Sequence, residues 1–117
     1  METRIFSVEF EEQDGVKIAC VMGPVDVANI EVFSEKVGSL CRGASNKVIL
    51  DLAGMNYINS RGMGLMIEFS RQAALVGGHF VVCSPRPVIR KNIELLRLDA
   101  VLEIFETRAE ALAKLRN

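Results

Sequence analysis

The 117-residue sequence predicts a single α/β domain with a mixed, mostly parallel sheet, an N-terminal β-hairpin and flanking helices. Two patterns support this fold class. Short apolar runs rich in β-branched residues alternate along the chain with segments whose apolar residues recur every three or four positions. Strands separated by helices usually pair in parallel, because the crossover returns the chain to the same end of the sheet. No linker or repeat divides the chain, so we expect residues 1–117 to form one domain.

The composition argues against several classes of function. The net charge of −1 offers no electrostatic attraction for nucleic acid or an anionic membrane. No apolar run reaches the roughly 18 residues of a membrane span, and residues 1–4 lack the apolar core of a secretory signal. The three cysteines are widely spaced and the chain has one histidine, so a zinc site or a disulfide framework is not expected. These features together predict a protein of the reducing cytoplasm.

The first part of the chain predicts a hairpin and a helix. Alternating apolar residues on both sides of the turn signal Asp14-Gly15 predict two antiparallel strands: Phe6, Val8 and Phe10, then Val16, Ile18 and Cys20. We expect Gly23-Pro24 to end the second strand and Asp26 to begin a turn or cap the next helix. That helix is predicted over residues 28–41, where the apolar residues lie on one face.

The middle of the chain contains the segment that carries the candidate site. Residues 48–52 read as a buried strand, which Ala53-Gly54 is expected to end before a short loop. Asn59 and Ser60 are both good helix N-caps, and an apolar pattern follows them over residues 61–76 as far as Gly77-Gly78. A serine hydroxyl is therefore predicted at a helix start, at the carboxyl end of a central strand, where α/β proteins usually meet ligands and partners.

The last part of the chain predicts two more strand and helix pairs. Residues 79–83 form a continuous apolar strand, and a helix follows Pro85-Arg86-Pro87. We expect its inward face to carry Ile89, Ile93 and Leu96, and its basic residues to face solvent. Residues 101–105 are predicted as a short strand. The capping box from Thr107 to Glu110 then begins a C-terminal helix with Leu112 and Leu115 inward.

The run Asp51-Leu52, Ile58-Asn59-Ser60, Gly62-Met63-Gly64 resembles the signature of STAS domains, specifically the small anti-sigma-factor antagonists of bacteria. The likeness extends to the opening hairpin, Gly23 with Asp26, Gly77-Gly78 before a strand, and the closing strand and helix. The resemblance implies a STAS-like fold over nearly the whole chain. It also implies a non-enzymatic role, with no catalytic residues, metal or cofactor.

The resemblance further implies a regulated interaction. In that family the antagonist binds an anti-sigma factor that is also a serine kinase; phosphorylation of a serine breaks the complex and a phosphatase restores it. By position the phosphorylated serine is Ser60, and the implied partner-binding residues are Asp26, Asn59, Ser60, Arg61, Gly62 and Met63. Asn59 stands where the family usually has Asp, and Arg61 where it often has Ser or Thr. Arg61 could hold a phosphate or engage an acidic partner.

Four alternatives remain open at this point. Because Asn59 stands in place of the usual Asp, one alternative is a constitutive, unphosphorylated STAS scaffold or a STAS subunit of a membrane transport complex. Ser60 could be only a helix cap. A serine hydrolase would need His79 near Ser60, but His79 starts a strand and Ser60 follows the end of one. A phosphate-binding role for Gly62-x-Gly64 is less favoured than close backbone packing.

Met63 and Met66 are expected in the core, although Met63 could be exposed to a partner. A homodimer through the hairpin edge is a further alternative.

Overall fold

The computed structural model describes residues 5–116, and the region within those limits forms five strands and four α-helices. The strands are β1 (Ser7–Gln13), β2 (Val16–Val25), β3 (Lys47–Ile58), β4 (His79–Cys83) and β5 (Ile104–Phe105). The helices are α1 (Ile30–Cys41), α2 (Ser60–Leu75), α3 (Pro87–Leu95) and α4 (Arg108–Leu115), with a short 3-10 turn over Leu98–Ala100.

The sheet is mixed, as the sequence predicts. Its strand order is β1-β2-β3-β4-β5; β1 and β2 are antiparallel, and each later neighbour pair is parallel. The Asp14-Gly15 turn joins the hairpin, with both residues in the left-handed region at φ 54° and 78°. The predicted fold class is therefore confirmed.

Helices cover both faces of the sheet and produce two buried clusters. The larger cluster lies between the sheet and α1, α2 and α3, and it includes Phe33, Leu50, Met66, Phe69 and Ile93. The smaller one lies between the opposite face and α4, and it includes Ile18, Ile49, Val81, Leu112 and Leu115. Because both faces are covered, the inner strands read as continuous apolar runs rather than alternating ones.

β2 and β3 both extend further than the sequence predicts. Ala53-Gly54 does not end β3, and Gly23-Pro24 does not end β2, since the two strands stay paired as far as Val25 and Ile58. Gly54 is required for close packing rather than for a turn: a Cβ there would lie 2.2 Å from the sulfur of Met22. The pairing of β2 with β3 shifts register on either side of Met22 and Gly23. Gly23-Pro24 therefore belongs to an irregular, bulged part of a continuing strand and not to a turn.

Three smaller expectations are also wrong. Leu96 is 57% exposed, because α3 ends at Leu95 and Arg97 adopts a left-handed conformation that turns Leu98 inward instead. The predicted strand over residues 101–105 is reduced to Ile104–Phe105, and Val101 is exposed. The alternation of Phe6, Val8 and Phe10 predicts a half-buried strand, yet Val8 is the one buried residue of β1 and Phe10 is 49% exposed.

The predicted capping box is present. Thr107 accepts a hydrogen bond from the backbone N–H of Glu110, and Glu110 Oε1 accepts one from the backbone N–H of Thr107. Leu112 and Leu115 then face the sheet as expected. Within the part of the chain that the structure describes, no helix is long and apolar enough to cross a membrane.

Candidate functional site

The carboxyl ends of β2 and β3 lie side by side and carry the predicted site residues. Val25 is the register partner of Ile58, and the backbone N–H of Asn59 donates to the carbonyl of Val25 at 3.0 Å. The pairing therefore places Asp26, which follows β2, next to Asn59, which follows β3. Asp26 shapes its own turn, since its Oδ1 accepts hydrogen bonds from the backbone N–H groups of the second and third residues after it, at 3.0 and 3.2 Å.

Asn59, not Ser60, is the N-cap of α2. Its backbone is extended, and its Oδ1 accepts a hydrogen bond from the backbone N–H of Gly62 at 2.8 Å. This bond satisfies one of the free donors of the first helical turn. The interpretation of Ser60 as only a helix cap is therefore wrong: Ser60 is the first helical residue, and its side chain is exposed.

Ser60 borders a shallow depression between the start of α2 and the last turn of α3. The depression has a volume of about 270 Å³. Four of its lining residues are apolar and two are polar: Ile58, Met63, Leu95 and Leu96, with Ser60 and Asn92. The serine hydroxyl thus lies at the solvent-exposed rim of a mostly apolar depression.

Arg61 is held on the other side of the α2 N-terminus. Its Nη1 donates to Glu31 Oε2 of α1 at 2.8 Å, and the two side chains are 56% and 78% exposed. An ion pair this exposed contributes at most about 1 kcal/mol. It joins α1 to α2 at the surface, and it directs the guanidinium toward α1 while Ser60 borders the hollow toward α3.

Gly62 and Met63 lie beneath this surface. A Cβ on Gly62 would lie 2.6 Å from Cγ1 of Ile58 and 3.2 Å from Cγ1 of Val25. Close packing therefore explains Gly62, as expected, but not Gly64, which has open space around it. Met63 is only 4% exposed, so the expectation that it could be exposed to a partner is wrong. Met63 instead forms part of the wall of the depression beside Ser60.

The geometry rules out His79 as a base for Ser60. His79 is the register partner of Lys47 at the start of β3, whereas Ser60 follows the end of that strand. β3 is 12 residues long, so at about 3.3 Å per residue the two positions lie roughly 35 Å or more apart. His79 is instead paired with Glu103, with Nε2 2.6 Å from Oε1. Among residues 5–116, no three potential metal ligands converge.

A polar cluster on the α4 face was not predicted from the sequence. Asp51 is 7% exposed, and its carboxylate accepts from Nε of Arg108 at 3.0 Å. The same guanidinium donates to Glu11 at 2.6 Å and contacts the sulfur of Cys20 at 3.2 Å. The hydrogen bond from Arg108 holds the pKa of Glu11 below its usual value. An aspartate inside an apolar strand is the sequence signal that could have revealed this cluster.

The comparisons with known proteins agree with this architecture. The family model of the STAS domain matches residues 7–111. The chain belongs to the STAS domain family. BtrV of Bordetella bronchiseptica, named as a candidate anti-sigma factor antagonist, is 29% identical over 100 residues, which are 86% of each chain.

Solved structures share the STAS fold over almost the whole chain. An anti-sigma factor antagonist from Mycobacterium paratuberculosis superposes with a TM-score of 0.87 at 22% identity, covering 97% of this chain and 96% of that one. The Bacillus antagonist SpoIIAA matches in its unphosphorylated form with a TM-score of 0.73, covering 94% of this chain and 95% of that one at 22% identity. Its phosphorylated form matches with a TM-score of 0.68 at the same identity, covering 94% and 98%.

Proposed function

We propose that this STAS domain is an anti-sigma factor antagonist whose binding is switched off by phosphorylation of Ser60. Its partner is an anti-sigma factor that is also a serine kinase, a phosphatase restores the unmodified form, and the exchange takes place in the cytoplasm without catalysis by this chain. The binding surface, which we call the switch surface, comprises Asp26, Asn59, Ser60 and Arg61, and the buried Gly62 and Met63 support it from beneath. The observation that carries the proposal is the exposed Ser60 at the start of α2 in a chain of this family.

The capping arrangement supports Ser60 as a site of modification. Since Asn59 caps α2, Ser60 is free to accept a phosphate without loss of the cap. A negative charge at a helix N-terminus is favourable by about 0.3–1 kcal/mol, so a phosphate there should not unfold the domain. The Bacillus relative SpoIIAA supports this view, because both its forms keep the fold that this chain has. The switch must then act at an interface.

The expected charge effect is large enough for a switch. Phosphorylation adds about −1.5 to −2 charges to the serine. A like charge brought within about 4 Å of a partner carboxylate costs on the order of 4 kcal/mol at an effective dielectric constant near 20. That cost corresponds to roughly a thousandfold loss of affinity, enough to dissociate a micromolar or nanomolar complex.

Asn59 favours one alternative role. An amide keeps the cap of α2 but does not supply the carboxylate that the family usually has before the serine. A constitutive STAS scaffold, or a STAS subunit of a membrane transport complex, would need the cap without the phosphate transfer. Self-association through the free edge of β1 is compatible with either role.

The test is a binding and phosphorylation assay with a purified serine-kinase-type anti-sigma factor from the genome that encodes this chain. We expect the wild-type domain to bind it, ATP to yield phosphate on Ser60 by mass spectrometry, and Ser60→Glu to weaken binding at least a hundredfold. Ser39→Glu is the matched control, because Ser39 is also an exposed helical serine but lies near the far end of α1.

The outcomes separate the two roles. Equal affinity of wild type and Ser60→Glu would contradict the switch and favour the constitutive scaffold. Asn59→Asp, which retains a cap oxygen, tests the departure from the family. If the missing carboxylate limits phosphate transfer, this variant should be phosphorylated faster than wild type.

A further inference from the structure

The outer face of α3 exposes apolar side chains next to Ser60. Val88 is 69% exposed, Leu95 is 70% exposed and Leu96 is 57% exposed. The last two line the depression that Ser60 borders. Leu95 lies two residues after Ile93 and so points away from the face of α3 that buries Ile89 and Ile93, while Leu96 lies just beyond the last helical residue. Folding of α3 does not require either exposed leucine.

The depression is apolar inside and flanked by positive charge. Its walls carry no charged side chain. Lys91 precedes Leu95 by one helical turn and so lies on the same face, while Arg97 directly follows Leu96. Within residues 5–116 neither of these cations has an ion-pair partner, whereas the neighbouring Arg90 is paired with Glu94 and Glu106.

We propose that this depression receives an apolar side chain of the anti-sigma factor, presented by a segment that carries carboxylates on either side of it. The inference rests on the proposed function and adds a second contact region, Asn92, Leu95 and Leu96 with Lys91 and Arg97, to the switch surface. The apolar walls select the inserted side chain, and Lys91 and Arg97, which have no ion-pair partner among residues 5–116, select its acidic flanks.

This arrangement also specifies how phosphorylation acts. A phosphate on Ser60 stands at the mouth of the hollow, so an apolar side chain that enters must strip water from a charged group. The same phosphate repels the carboxylates that Lys91 and Arg97 would otherwise attract. Both effects oppose the partner, and both depend on the α3 side of the site rather than on Arg61.

The test uses the anti-sigma factor of the same genome and a pair of equally exposed leucines. Leu95→Ser removes an apolar wall; Leu75→Ser is its control, because Leu75 is 73% exposed at the far end of α2. We expect Leu95→Ser to weaken binding about tenfold or more, as truncation of an interface anchor does, and Leu75→Ser to leave affinity unchanged. Thermal melts should show both variants folded.

A charge-reversal pair tests the acidic flanks. Lys91→Glu should slow association about tenfold at low salt and should reduce its salt dependence, whereas Lys36→Glu on α1 should change neither. A double-mutant cycle then tests the coupling to Ser60. If the phosphate acts at the mouth of the hollow, Ser60→Glu should weaken binding less in the Leu95→Ser background than in wild type.

The outcomes are distinguishable. Binding of wild type with no effect of Leu95→Ser or Lys91→Glu overturns the α3 contact and leaves the proposed function standing. Absence of any wild-type binding overturns both. Equal losses for Leu95→Ser and Leu75→Ser, or additive effects in the cycle, also overturn the inference, because the depression would then have no specific role.

Discussion

Asn59 and Ser60 perform two different tasks at the start of α2. The Asn59 side chain accepts the hydrogen bond that begins the helix, and the Ser60 side chain faces solvent at the edge of the depression. Asn59 lies outside the helix with an extended backbone and Ser60 is the first helical residue, so one side chain binds the helix backbone while the other stays free. The cap of α2 is therefore kept whether or not the serine is modified.

The cap makes a direct prediction at position 59. Asn59→Ala should lower the free energy of unfolding by about 1 kcal/mol, because the N–H of Gly62 loses its acceptor. Asn59→Asp and Ser60→Ala should each lie within about 0.5 kcal/mol of wild type, since neither removes the cap. Urea unfolding followed by circular dichroism measures all three. A larger loss for Ser60→Ala than for Asn59→Ala would contradict the assignment of the cap.

The two glycines of α2 should respond in opposite directions to the same substitution. Gly62→Ala forces a methyl group against Ile58 and Val25 and should destabilise the domain by about 1–3 kcal/mol. Gly64→Ala meets no atom within 4 Å and should stabilise the helix by about 0.5–1 kcal/mol. Thermal melts of the pair decide the point, and destabilisation by both would show that Gly64 also packs closely.

At the scale of elements, α4 is anchored by one polar side chain as well as by its apolar face. Arg108 at the first position of α4 reaches β1 through Glu11 and β3 through Asp51. Its side chain is 31% exposed, while that of Asp51 is 9% exposed. Breaking such a pair leaves a buried carboxylate without a counter-charge, which costs far more than the loss of a surface pair.

Two arginines of this region should therefore differ in their effect on stability. Arg108→Gln should cost about 3 kcal/mol, because Asp51 is left buried and unpaired. Arg116→Gln removes an exposed pair with Asp14, at 3.1 Å, and should cost less than about 1 kcal/mol. Urea midpoints compare the two. Amide hydrogen exchange in α4 should accelerate only in Arg108→Gln. Equal losses of unfolding free energy in the two variants would indicate that the buried pair contributes little.

For the molecule as a whole, three free cysteines provide a test of packing. Burial raises the pKa of Cys20 to about 11, that of Cys41 to about 12 and that of Cys83 to about 11. The thiols of the folded protein should therefore stay protonated and react slowly with alkylating reagents at pH 8. Reaction that is equally fast in native and urea-unfolded protein would contradict their burial.

The same shifts predict the alkaline dependence of stability. Below the pKa of an unfolded thiol, about 8.5, the folded and unfolded states bind the same thiol protons. Above it the unfolded state loses those protons first, so the free energy of unfolding falls as pH rises toward 11 and 12. Urea midpoints from pH 7 to 11 measure the fall. A variant with all three cysteines replaced by alanine should show less of it.

Local signals were enough to predict most elements and the position of Ser60. These signals each depend on residues a few positions apart: the Asp14-Gly15 turn, the Thr107 capping box and the apolar periodicity of the helices. The conformational preferences of such neighbouring residues do not require contacts with distant parts of the chain. The same holds for the start of α2. Asn59 and Ser60 together marked it, but only the direction of one hydrogen bond showed which of them is the cap.

Contacts between distant segments decided the rest. Gly23 and Gly54 look like turn residues in sequence, yet they lie inside strands because β2 and β3 support one another there. Leu96 fits a helical stripe, yet it faces solvent because the chain reverses at Arg97 and buries Leu98 instead. Contacts with other elements also decide three features of the site: the burial of Met63, the pairing of Arg61 with Glu31 and the depression beside Ser60. The spacing of apolar residues within one element does not show which residues of another element lie against it.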